Sequence, residues 1–215
     1  MAQAPFGQLD EAFLDGATTC SAFLRADAVR TSWGAASALP EMSVGALACH
    51  LARQVSRAAE LLRASPELPT LASADQHYAR AAWVTAESVH DPANDRTTDD
   101  AEAALGFDWM VQRFDTDLAA VTEQLRSGTA SEVVDIPWQG WSLRREDFLR
   151  TRLLEIVVHS ADLAASLELP SPEFPDAAFS PVLDLLARLA VGRHGQAAVI
   201  GSLTRRERTR NISAF

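Results

Sequence analysis

Arg152-Leu-Leu-Glu155-Ile-Val-Val-His159-Ser-Ala-Asp162 is the stretch on which the reading of this chain turns. At roughly 100° per residue, Arg152, Glu155, His159 and Asp162 fall within an arc of about 80° on a helix. Leu153, Leu154, Ile156, Val157 and Val158 fill the remaining circumference, so the helix is expected to be buried on nearly every side. A charged stripe on such a helix needs partners, because an unpaired buried charge costs several kcal/mol. A Glu155–His159 hydrogen bond or an Arg152–Glu155 ion pair would satisfy it internally. A divalent ion would satisfy it too. Imidazole nitrogen with carboxylate oxygen suits zinc, and the missing third ligand must then come from another helix. His50, set among Leu47, Ala48, Leu51 and Ala52, is the best candidate.

Working outward, the helix that carries the stripe begins after Trp141-Ser142, continues to about Leu167, and is broken by Leu169-Pro-Ser-Pro-Glu-Phe-Pro175. Upstream, Leu9, Phe13, Ala17, Ala22 and Leu24 mark a helix from about Leu9 to Val29. Ser43, after Pro40, is a good N-cap for a second helix through His50 to about Ala64, stopped by Pro66 and Pro69. A third covers about Ala74 to Val89. After the Asp91–Arg96 loop, Thr98 with Asp99, Asp100 and Glu102 reads as the acidic start of a fourth, which runs to about Arg126 and ends at Ser127-Gly128. Ser131–Ile136 is short and β-branched and reads as extended, and Phe179–Arg193 reads as a last helix. The pattern predicts a mainly all-α fold, a four-helix bundle with a short C-terminal α/β extension. Residues 1–170 would form the bundle and 171–215 an extension packed on it.

Composition narrows the function. With 47% apolar and 22% charged residues in 215, disorder is excluded as the main state. A net charge of −10, from 29 acidic against 19 basic residues, argues against a nucleic-acid partner. Every basic residue is arginine, which removes lysine Schiff-base chemistry and the P-loop lysine. The first residues lack the basic start and apolar run of a signal peptide, and no uncharged stretch reaches the ~18 residues of a membrane span. Cys20 and Cys49 form no CxxC pair, so a reducing, cytoplasmic location is expected.

Trp33, then Pro40-Glu-Met-Ser43-Val-Gly45-Ala-Leu47-Ala-Cys-His50-Leu-Ala52, and far downstream Arg152-x-x-Glu155-x-x-x-His159-x-x-Asp162-Leu163, resemble the DinB-like metal-binding family. The branch that this pattern resembles more closely is the mycothiol-dependent maleylpyruvate isomerases, over residues 10–170. The closing Leu203-Thr-Arg205-Arg206-Glu-Arg208 is also similar to such proteins. The resemblance implies a bundle holding a divalent metal, zinc the favoured ion, through His50, Glu155 and His159. It implies mycothiol as the thiol. A coordinated thiol is deprotonated, and the thiolate adds to an activated double bond and leaves (cis–trans isomerisation) or attacks an electrophilic carbon and stays (S-transfer). Only about 40 residues follow the bundle, where the isomerase carries a larger C-terminal domain, so the expected substrate is a small electrophile of unspecified identity. A monomer and a homodimer fit equally. Two other classes compete: a non-catalytic metal-binding or regulatory bundle, and a metal-dependent hydrolase, for which Asp162 is the only general base at hand.

Further residues carry two readings each. Arg152 and Asp162 would orient Glu155 and His159, or form ordinary ion pairs at helical spacing. Arg205 and Arg206 would grip a substrate carboxylate, or belong to a solvated tail. Trp138 and Trp141 flank Gly140 and would wall a substrate pocket or anchor a loop. Cys20 and Cys49 read as small core residues. His77, His90 and His194 show no partner pattern and read as surface or structural.

Overall fold

The computed structural model describes residues 6–85 and 97–215. The chain is mostly helical. The elements run α1 (Gln8–Leu24), α2 (Asp27–Thr31), α3 (Val44–Leu61), α4 (Ala74–Arg80), α5 (Thr97–Ala103), α6 (Phe107–Ser127), β1 (Val133–Ile136), β2 (Trp141–Arg144), α7 (Arg145–Ser166), α8 (Asp176–His194) and α9 (Gln196–Thr204). Helices α1, α6, α3 and α7 close a ring in that order, each packing against the next, and their apolar faces meet inside it. Phe13, Ala17 and Leu24 from α1 bury against Leu47, Leu51 and Val55 of α3, Phe114 and Val121 of α6, and Phe148, Leu153 and Ile156 of α7. Burial of this apolar surface drives the bundle together.

Ser43 caps α3 as expected, its hydroxyl accepting the Ala46 amide at 3.0 Å. The predicted first helix is two elements, α1 and α2, parted at Arg25-Ala26. The predicted helix from Thr98 to Arg126 is also two, because Gly106 takes φ +92°, in a region side chains avoid. The indole of Trp33 donates to the Ala103 carbonyl at 3.0 Å, which also accepts the Gly106 amide at 3.1 Å, so the end of α5 is tied to Trp33. The helix expected after Trp141-Ser142 starts at Arg145 and follows directly on residues 141–144. They form β2, paired antiparallel with β1 in the register Val133↔Arg144 to Ile136↔Trp141, and the Pro69–Leu71 segment adds hydrogen bonds to Ser142 from the far side. The predicted third helix is shorter, with α4 followed by a 3-10 turn at Ala82–Thr85; its remainder, and His90, lie outside the described residues.

Helix α7 is central, touching α1, α3, α4, α8 and both strands. Its first residue, Arg145, is 6% exposed and lies 3.2 Å from Asp10 of α1. Beyond the ring, α8 packs on α1 and α7, and α9 on α8. Among the described residues no helix is long and apolar enough to cross a membrane.

Candidate metal centre

Helices α3 and α7 lie side by side, and the stripe of α7 faces α3 where His50 stands. One ligand atom from each of His50, Glu155 and His159 lies within 4.8 Å of the other two. Glu155 Oε2 is 3.2 Å from His159 Nε2, and the imidazoles of His50 and His159 meet edge to face with centroids 4.7 Å apart. Nitrogen and oxygen ligands at ~2.0–2.1 Å from a tetrahedral zinc stand about 3.4 Å apart, so a slight contraction would seat one ion.

The atoms behind the cluster fit that use. His159 Nδ1 faces Asp162 Oδ2 at 3.0 Å, and His50 Nδ1 lies 3.2 Å from both oxygens of Asp99. With Nδ1–H given to a carboxylate, each imidazole keeps the Nε2 lone pair for a cation, the arrangement in which metal-binding histidines are usually held. Glu155 Oε1 accepts from the Tyr78 hydroxyl at 3.1 Å. Asp99 is fixed in turn by Arg53 at 2.6 Å, and Arg53 also binds Glu102.

Arg152 is 4% exposed and is hydrogen-bonded to Gln54 Oε1 at 2.7 Å; no ion pair to Glu155 is formed among the described residues. Gln54 donates back to the His50 carbonyl at 3.0 Å. The Arg152–Gln54 bridge therefore sets the spacing of α7 from the turn of α3 that carries His50. Trp138 is 51% exposed and lies over the Arg57 guanidinium, while Trp141 donates to His77 Nδ1 at 3.1 Å. His77 is 3% exposed, and His194 contacts the Ser213 carbonyl. Arg205 and Arg206 are exposed, and among the described residues neither bonds to the cluster; the Arg205 guanidinium turns to the Thr204 carbonyl. Cys20 and Cys49 are buried, and burial pushes both thiols up to about 12.

Four supporting residues escape the sequence reading. Asp99 reads only as acid at a helix start, and Tyr78 is the sole tyrosine but lies far from the stripe in sequence. Gln54 and Arg53 had a usable signal: polar residues within one turn of His50 on an apolar helix.

Burial alone would raise Glu155 and lower His159. Partners outweigh it: the Asp162 and then the Glu155 hydrogen bond and charge for His159, and the His159 hydrogen bond and charge, then Arg152, for Glu155. Glu155 is held down at about 2 and His159 is lifted to about 9. In His50 burial wins over Asp99, and its pKa is lowered. Without metal, His159 is thus a cation paired to Glu155 at neutral pH. The His159 contribution to stability is complete below its unfolded value near 6.5 and fades as pH rises through 9. The Glu155 contribution is complete above about 4.5 and fades as pH falls toward 2. Chelator-treated protein should melt highest between these limits, with Tm falling from pH 6.5 to 9. A flat Tm profile from pH 6 to 9 would show the pair to be energetically idle. Because a metal must displace the His159 proton, zinc affinity should rise about tenfold per pH unit between 7 and 9.

A family model described as the mycothiol maleylpyruvate isomerase N-terminal domain matches residues 13–164, from α1 through nearly all of α7. No curated protein and no solved structure gives a significant match.

Proposed function

Since the chain belongs to the mycothiol maleylpyruvate isomerase N-terminal domain family, we propose that it is a divalent-metal enzyme, zinc the favoured ion, that activates mycothiol either to isomerise a small electrophile or to be S-alkylated by one. The observation that carries this reading is the His50–Glu155–His159 cluster, with every member held by a further group. Asp99 and Asp162 fix the tautomer and direction of the two imidazoles, and Tyr78 occupies one oxygen of Glu155 so that the other faces inward. A bound zinc supplies Lewis acidity that turns a thiol into a thiolate at neutral pH. His50, Glu155 and His159 would hold the ion through three ligand atoms, and a tetrahedral ion so held would have one position left for that sulfur.

A hydrolase would need a free base beside the metal. Asp162 is committed to His159 Nδ1, which supports the thiol reading. On this reading the protein works in the cytoplasm on small molecules, as a monomer or homodimer, with residues 171–215 as an extension on the bundle.

The test is elemental analysis of the purified protein, followed by mycothiol-dependent conversion of two electrophiles, a cis-enoate and an activated halide. In the first, thiolate adds to the double bond and is expelled after rotation. In the second it displaces halide and stays attached. Conversion of either, lost on chelation and restored by zinc, is expected. Zinc bound at one equivalent with no acceleration over free thiol for both would leave a non-catalytic metal module. Asp99→Ala should weaken zinc binding roughly 10–100-fold, since His50 loses its orienting carboxylate. Unchanged affinity in a competition titration would remove Asp99 from the site.

A further inference from the structure

Beside the cluster stand two guanidinium groups that no carboxylate neutralises among the described residues. Arg152 contacts only neutral oxygens, Gln54 Oε1 and Thr151 Oγ1. Arg57 follows His50 by seven residues on α3, so it points to the same side, roughly 20° away around the axis. It makes no hydrogen bond or ion pair there; its guanidinium carbon sits 4.5 Å from the centre of the Trp138 ring. Arg53, one turn earlier, differs sharply, being clasped by both Asp99 and Glu102. Arg57 is only partly exposed, and burial together with the charges of Arg152 and Arg53 pushes its pKa down to about 10. It therefore remains a cation at neutral pH. Glu155 and Asp99 act on it with the opposite sign, which places it within electrostatic reach of the cluster.

A buried and a half-buried guanidinium that no carboxylate pairs directly among the described residues are costly to keep, and a fold that sets both beside a site favours an anion there. We propose that Arg57, resting on Trp138 and reinforced by Arg152, is the subsite that receives a carboxylate of the electrophilic substrate. The inference rests on the function proposed above. The Arg57 guanidinium carbon lies over the Trp138 indole, and among the described residues no acceptor takes the guanidinium's N–H edge. That edge matches the two oxygens of a carboxylate. The exposure of Trp138 makes the pair reachable from solvent. Nearby His77 is lowered to about 4 by burial and then by Arg152, so it adds no charge at neutral pH. Carboxylate recognition moves from the tail arginines, Arg205 and Arg206, to the bundle itself.

The test is calorimetric titration of maleate into protein stripped by a chelator, so that metal cannot coordinate the probe. Wild type binds maleate and not its uncharged dimethyl ester. Arg57→Gln weakens maleate roughly 10- to 100-fold, and Arg57→Lys, which keeps charge without the fork, falls between. Circular dichroism and zinc stoichiometry of Arg57→Gln check that the bundle and the cluster are intact. Trp138→Leu, in the turn between β1 and β2, probes the same subsite without touching α3 and should weaken maleate several-fold. Equal maleate affinity in wild type and Arg57→Gln overturns the proposal, as does loss in Arg205→Gln instead, or no binding by wild type. A protein that binds maleate through Arg57 but never takes up zinc would sink the metal-enzyme reading and leave the anion subsite standing.

Discussion

His159→Ala is expected to hold almost no zinc where the wild type holds about one equivalent. Structural zinc sites with four ligands are worth roughly 10–16 kcal/mol, so one ligand contributes about 3 kcal/mol, a hundredfold or more in affinity. The loss reaches further than the ion. His159 is the chief partner that holds Glu155 down at about 2, and its removal leaves burial to push that carboxyl up. Tyr78 would remain as the one direct hydrogen-bond partner of Glu155 among those described. Thiol-dependent conversion should fall with the zinc, while circular dichroism stays helical because the side chain lies at the site and not in the apolar interior. Retention of a full equivalent of metal in this variant would show that the ion sits elsewhere.

Gly45→Ala should cost stability out of proportion to one methyl group. A Cβ at Gly45 would lie 2.6–2.8 Å from three atoms of the Trp33 indole, which cannot yield as an aliphatic end can. Trp33 is locked from several directions: its carbonyl accepts the Gly45 amide at 2.8 Å, its Nε1 binds the Ala103 carbonyl, and its ring meets Phe107 edge to face. Overpacking of this kind typically costs about 1–3 kcal/mol. The displaced ring would also release the end of α5, the helix that carries Asp99, so zinc affinity should fall along with Tm. Urea denaturation and a zinc competition titration read the two effects. A Tm within a degree of wild type would mean the indole shifts freely.

The parts legible in the sequence were those written in local periodicity and local chemistry. Ser43 announces α3, and the stripe on α7 announces itself through charge on an otherwise apolar surface. His50 could be matched to that stripe because an ionisable group on an apolar helix needs a reason. What stayed hidden depends on contacts between distant segments. Gly106 inside a periodic run is compatible with an unbroken helix; only the positive φ, stabilised around Trp33 and Ala103, ends α5 there. Trp141–Arg144 is too short to show alternation and becomes a strand because Val133–Ile136 and Pro69–Leu71 pair with it. Arg152 sits at ion-pair spacing from Glu155, yet Gln54 of another helix takes it. Asp99 is invisible as a partner of His50 for the same reason, being brought in by the packing of α5 on α3.

His50 and His159 are separated by 109 positions in the chain. Nothing local can preassemble such a pair, and closing so long a segment carries its entropy cost before any contact returns it. The cluster thus comes into being only when α7, late in the chain, docks against α3, early in it. During synthesis, a nascent chain that has not yet released α7 offers an ion at most one of the three donors. On the proposed function, capture of the ion would report that the bundle has closed, and a chain stalled in an open intermediate would neither sequester metal nor generate a stray thiolate.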